Sequence, residues 1–173
     1  MTSSLLRRLG ALGLLAASMP AAATTQVTIE GARSYMDSHG TNAAFVEAVF
    51  PEHALGQRFS WAPDVTAGWI DGRDIAKYRD NKYGTRSSVA LLAAGARFSY
   101  GDEHDWYRPF FFSFQVAGTN HTTMALSSHY QFVSTLGWQA SHFMAAIRHI
   151  SNGSLSGPNR GETMGLVGVT FAF

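Results

Sequence analysis

The chain has 173 residues, a formal net charge of +1 and no cysteine. A near-neutral balance excludes electrostatic recruitment of nucleic acid or of an acidic partner, and the missing thiols exclude disulfides, thiolate metal centres and cysteine catalysis. With only 14% charged residues, 13% aromatics and 17 glycines, the composition predicts an all-β chain of short strands and turns.

The first stretch, MTSSLLRRLGALGLLAASMPAAATT, is built like a secretory signal. Arg7 and Arg8 precede an apolar run from Leu9 to Ala17, and Ala21, Ala22 and Ala23 offer small residues for cleavage. The run is short of the roughly 20 residues a spanning helix needs. Residues 1–23 are therefore expected to be a signal peptide, and residues 24–173 one exported domain. No later segment is long and apolar enough to span as a helix, so any membrane crossing must use strands.

Apolar residues then alternate instead of recurring at helical spacing, and predict eight strands: 25–35, 42–51, 58–71, 87–100, 109–118, 127–140, 143–152 and 162–173. Most are near the 9–11 residues or so with which a tilted strand crosses a bilayer. In the fourth, Leu92, Ala94, Ala96, Phe98 and Tyr100 oppose Arg97 and Ser99. In the fifth, Phe110, Phe112, Phe114 and Val116 oppose Ser113 and Gln115. In the sixth, Tyr130, Phe132, Leu136 and Trp138 oppose Gln131, Thr135 and Gln139. An even number of such strands after an export signal predicts an eight-stranded antiparallel transmembrane β-barrel, apolar towards lipid and polar inside. A periplasmic sandwich or lipocalin-like barrel is the competing architecture. Trp61, Tyr100, Trp106, Tyr107, Trp138 and Phe173 fall near turns or strand ends, where interfacial girdles belong. Glu30, Glu47, Asp64, Arg97 and Arg148 are interior candidates, and a barrel this narrow predicts buried pairing for them in place of a channel.

With both termini periplasmic, the outer loops are 36–41, 72–86, 119–126 and 152–161. The second carries Arg73, Lys77, Arg79, Lys82 and Arg86, which fit either a solvated loop or contact with lipopolysaccharide phosphates.

The seventh strand ends in RHISNGS. Phe143, Ala145, Ile147, His149 and Ser151 share one face, the lipid-facing one, and Met144, Ala146, Arg148 and Ile150 share the other. The His and Ser sit at the outer end, at the level of the head groups. Same-face neighbours are about 7 Å apart at Cα, so an imidazole can reach a serine oxygen, as activation by a general base requires. Glu162 is the nearest acid. Ser154 and Ser156 are alternative nucleophiles, and a plain polar strand end before an Asn-Gly turn needs no chemistry at all.

RHISNGSLSGPNRGE, residues 148–162, resembles the C-terminal motif of the lipid A 3-O-deacylase family of outer-membrane enzymes, in the order His-x-Ser-Asn, Pro-Asn, Gly, Glu. Over the rest of the chain the resemblance is architectural: a signal peptide, eight strands and a terminal aromatic. It implies hydrolysis of the ester-linked 3-hydroxyacyl chain at position 3 of lipid A by a Ser-His-Glu triad. Ser151 would be the nucleophile, His149 the base and Glu162 the orienting acid. Asn159, and a backbone N–H near Asn152 or Gly153, would serve the oxyanion, although Asn159 after Pro158 also reads as turn chemistry. No metal or cofactor is implied, and the partners would be lipopolysaccharide and outer-membrane lipids. The sequence leaves the oligomeric state open, a homodimer included.

Parity raises one conflict. Counting back from Phe173 puts Glu162 on the interior face with Met164, Leu166 and Thr170, whereas His149 faces out. A bulge between Gly161 and Gly165, or a Glu162 that belongs to the loop, would resolve it; without either, the acid assignment fails. Two other functions stay open. A structural or adhesive barrel would bind through loop 72–86 and need neither His149 nor Ser151. A lipid A acyltransferase would want its site inside the barrel near a lateral opening, and the outward parity of His149 and Ser151 argues against it. The seven histidines, at 39, 53, 104, 121, 129, 142 and 149, show no paired ligand spacing backed by a carboxylate.

Overall fold

The computed structural model describes residues 24–35, 40–72, 88–123, 125–155 and 159–173. The expected signal peptide and residues 73–86 of the basic loop lie outside them. The strands are β1 (Gln26–Ser34), β2 (Asn42–Val49), β3 (His53–Ala54), β4 (Phe59–Ile70), β5 (Val89–Tyr100), β6 (Phe110–Thr119), β7 (Tyr130–Ala140), β8 (Phe143–Ser151) and β9 (Glu162–Ala172). Eight of them, all but β3, run antiparallel in the order β2-β1-β9-β8-β7-β6-β5-β4, and a β2–β4 ladder closes the sheet into a barrel. The two-residue β3 pairs only with β4 (His53 with Trp61, Ala54 with Ser60) and was not anticipated. The termini are tied at one end: Thr25 and Phe173 exchange backbone hydrogen bonds of 3.1 and 2.9 Å.

Alternation sorts the side chains as expected. Leu92, Phe112, Phe114, Leu136, Ile147, Val167 and Val169 are exposed on the outside, while Glu30, Glu47, Asp64, Arg97 and Arg148 are buried. A contiguous apolar exterior of this extent is unlike a water-facing surface and is consistent with an outer-membrane protein. Exposed aromatics gather at both ends: Phe59, Tyr100, Trp106 and Phe110 near the termini, and Tyr35, Trp69 and Tyr130 at the opposite, loop end.

The lumen is filled at its middle and opens towards the termini into a cavity lined by Gln26, Arg97, Ser99 and Gln139. At its middle Arg148 donates to Glu30 (2.8 Å) and Glu47 (2.9 Å), and Arg97 donates to the other oxygen of Glu47 (2.9 Å). Arg148 also donates to Thr135, and Arg97 to Gln139. Asp64 accepts from Ser113 and Gln115. Each guanidinium lies over a ring, Arg97 on Phe111 and Arg148 on Phe45. Phe45 in turn fills the space above Gly68, where a Cβ would lie 2.1 Å from the ring. Towards the loop end the interior turns apolar, with Ile70, Val89, Leu91, Val133 and Ile150. Leu126, from the loop between β6 and β7, joins this cluster and is 1% exposed. Residues 127–129, expected in a strand, belong to that inward-turned loop.

Removing Arg148 strands the buried Glu30 carboxylate and leaves Glu47 with Arg97 as its remaining cation. Arg148→Ala should lose about 3–5 kcal/mol of stability, read as an earlier urea midpoint in detergent. The wild-type barrel should migrate differently on a denaturing gel with and without boiling; identical migration would contradict a closed barrel.

Candidate functional site

β8 lies between β7 and β9, and its hydrogen-bonded ladders fix where its outward residues sit. His149 is opposite Ser134 of β7 and Thr163 of β9, and Ser151 is opposite Phe132. Ala145, Ile147 and His149 are exposed and Ser151 is partly so, whereas Met144, Arg148 and Ile150 point inward. The structure thus brings His149 and Ser151 to the outer face at the loop end, as the alternation predicts. Among the described residues, however, no hydrogen bond joins them. The imidazole Nδ1 bonds instead to the Thr163 hydroxyl at 2.9 Å.

Glu162 does not reach the imidazole. The β8–β9 register runs unbroken from Phe143↔Val169 to Ile150↔Glu162, so no bulge intervenes and Glu162 already belongs to the strand. Period two then sends it inward. It is 1% exposed, and its carboxylate accepts a hydrogen bond of 2.5 Å from Ser34. Both conditions that would have carried the acid outward are absent, and the outward residue at this level is Thr163.

Near the expected oxyanion, for which Asn159 and a backbone N–H at Asn152 or Gly153 were candidates, both asparagine side chains are engaged in turns. Asn152 is fully buried: its Nδ2 donates to Ser127 (3.2 Å), its Oδ1 accepts from the Ser154 N–H (2.8 Å), and its carbonyl accepts from Leu155. Gly153 (φ 63°) and Ser154 (φ 61°) between them are left-handed, as a type I′ turn requires. Asn159 accepts from the Gly161 N–H (2.9 Å) and approaches Gln131 at 3.4 Å. Both asparagines therefore shape turns. The Gly153 N–H makes no hydrogen bond among the described residues, so the backbone can supply a donor next to Ser151. Ser154 is exposed in the turn, and Ser156 lies outside the described residues.

Gly161 was not anticipated as a site residue. It has φ 71°, and a Cβ built there would stand 2.7 Å from His149 Cε1 and 3.0 Å from Nε2. Only glycine both adopts this backbone and leaves room for the ring. Its N–H is shared between Asn159 and the Ala125 carbonyl, the latter at 2.9 Å. The loop that plugs the barrel mouth with Leu126 thereby holds the floor beneath the imidazole.

Beside the site a groove begins at Tyr35 and Thr163, passes Ile147 and Gly165, and continues over the outer surface of the barrel to Leu136 and Val167. Glycines and alanines (Gly31, Gly137, Gly165, Ala145) leave its floor low between larger neighbours. Comparisons with protein-family models, curated proteins and solved structures gave no match, so the resemblance of residues 148–162 rests on the motif alone.

Gly161→Ala should lose about 1–2 kcal/mol from the left-handed backbone and displace the imidazole from Thr163. A crystal structure of the variant, or its histidine NMR spectrum, would show the displacement.

Proposed function

We propose that the protein is a lipid A 3-O-deacylase, integral to the bacterial outer membrane, that hydrolyses the ester-linked 3-hydroxyacyl chain at position 3. The observation that carries this reading is the pair His149 and Ser151 on an outward, otherwise apolar strand face, beside a groove lined by Tyr35, Ile147 and Gly165. Polar residues on the lipid side of a barrel are costly away from the interface. At the head-group level they meet a lipid ester where its carbonyl lies, with the acyl chain extending along the groove.

In this reading Ser151 Oγ attacks the ester carbonyl while His149 Nε2 accepts its proton. The tetrahedral oxyanion is met by backbone N–H groups such as that of Gly153. Collapse breaks the bond to the sugar oxygen, which takes the proton from the imidazolium. Water, deprotonated by the same imidazole, then cleaves the acyl-serine and releases the fatty acid. His149 and Ser151 form no hydrogen bond at rest; such contacts commonly tighten only when substrate is bound. Substrate arrives sideways from the membrane, because the lumen is occupied by the Arg148 and Arg97 network.

Ser151→Ala and His149→Ala should each abolish nearly all deacylation, and the double variant should be scarcely worse than either, since neither half works alone. Mass spectrometry of lipid A incubated with purified protein in detergent should show loss of one ester-linked 3-hydroxyacyl chain with amide-linked chains intact. Chelator should leave the rate unchanged. A folded, active Ser151→Ala variant would overturn the reading and favour a structural or adhesive barrel.

A further inference from the structure

We propose that Thr163 is the residue that positions His149, filling with a neutral hydroxyl the place a carboxylate holds in a Ser-His-acid triad. This rests on the deacylase reading of the site. A general base of this kind needs one ring nitrogen protonated and held, so that the other presents its lone pair to the serine. The only side chain bonded to the His149 ring among the described residues is Thr163, at 2.9 Å from Nδ1. Its position is fixed by the backbone: His149 and Thr163 are direct partners in the β8–β9 ladder and both face outward.

A threonine oxygen both donates and accepts. Here Nδ1–H donates and Oγ1 accepts, which leaves Nε2 free to take the Ser151 proton. Nε2 lies on the ring edge beside Gly161, so the glycine keeps that edge clear. The hydroxyl also suits the surroundings. Thr163 lines the apolar groove with Tyr35 and Ile147, where a carboxylate would have to be kept charged against lipid. Glu162, one residue earlier, is directed into the barrel and takes the Ser34 hydrogen bond. The arrangement gives up charge stabilisation of the imidazolium and keeps control of the tautomer.

The test uses the full-length mature barrel in detergent micelles, with 15N-labelled histidine and the His149 signal assigned by its loss in His149→Ala. Wild type and Thr163→Ser should show the Nδ1–H tautomer, and Thr163→Val should lose that preference. Glu162→Gln should leave the imidazole signal as in wild type. With lipid A in mixed micelles as substrate, Thr163→Val should lower kcat about tenfold with KM little changed, and Thr163→Ser should restore it. Thr163→Glu should move the acid limb of the kcat/KM profile to higher pH by about one unit or more, because a carboxylate favours the charged ring and the base must be neutral to act. Heat-modified migration on gels checks that each variant folds. An Nε2–H tautomer in wild type, a Thr163→Val signal identical to wild type, or a signal that moves in Glu162→Gln would each overturn the proposal. A wild type that leaves lipid A intact would instead overturn the deacylase reading, and the tautomer spectra would still decide the role of Thr163.

Discussion

Every placement in this molecule depends on an unbroken antiparallel ladder closed on itself. Closure gives most of each long strand a neighbour on either side, with β4 before Asp64 lying beyond the β2 ladder. It also removes freedom of register. With the β8–β9 and β1–β9 ladders both continuous, the face on which any β9 residue lies is set by counting from any other. A slip of one residue would exchange the whole apolar exterior for the ionic interior, which is why the parity of a single glutamate can be decided by the pattern of its strand.

The interior uses the same rule for a different end. Two arginines and three carboxylates occupy the middle of the barrel, and the shared Glu47 links both guanidiniums. Such a network is weak evidence for net stability, since desolvation offsets most of its attraction. Its effect is geometric: it fills the middle of the lumen with paired groups, with Arg97 Nε and Gln115 Oε1 left without a partner among the described residues. The apolar layer of Ile70, Leu91 and Ile150, closed by Leu126, seals the loop end. The same loop reaches Gly161 through the Ala125 carbonyl and Asn152 through Ser127. Packing inside the mouth is thereby joined to the position of the ring outside it.

The strands were legible because the apolar exterior and the polar lumen require opposite chemistry at alternate residues. Phe112 to Val116 shows the period without interruption, and Tyr130 to Trp138 shows it apart from Val133 and Ser134; their faces in the structure are those the sequence predicts. Legibility fails where periodicity does. The loop before β7 carries no pattern that announces Leu126 turning inward, so residues 127–129 read as strand. The two-residue β3 is too short to have a pattern. In the site, His149 and Ser151 followed from parity. Glu162 followed from residue type and motif order, and parity spoke against it. Counting back from Phe173 also set Thr163 outward with Gly165 and Val167, so the sequence held the signal; a hydroxyl attracts less notice than an acid. Gly161 could not be read, because its positive φ and its distance to the imidazole exist only in three dimensions.

A site on the outside of a barrel works under constraints that a cleft enzyme does not face. It cannot enclose its substrate, so exclusion of water falls to the lipid itself, and each charge set on the wall must be stabilised without a surrounding protein. Strand geometry meets part of that demand: side chains on adjacent strands of one ladder are held at fixed separation by the backbone, and a rigid scaffold positions reacting groups more closely than loops do. Placing the acid inside and a hydroxyl outside meets another part. Glu162 is stabilised by Ser34 in the interior, where polar partners are at hand, while Tyr35, Ile147, Thr163 and Gly165, which line the near end of the groove, are neutral. In the proposed deacylase the price would be a weaker base, because an imidazolium formed in the transition state would meet no counter-charge from its orienting partner. A lipid ester at the head-group layer lies among phosphates and water, which can stabilise that transient charge from the substrate side. In the proposed deacylase the membrane would thus supply electrostatically what a buried carboxylate supplies in an enclosed active site.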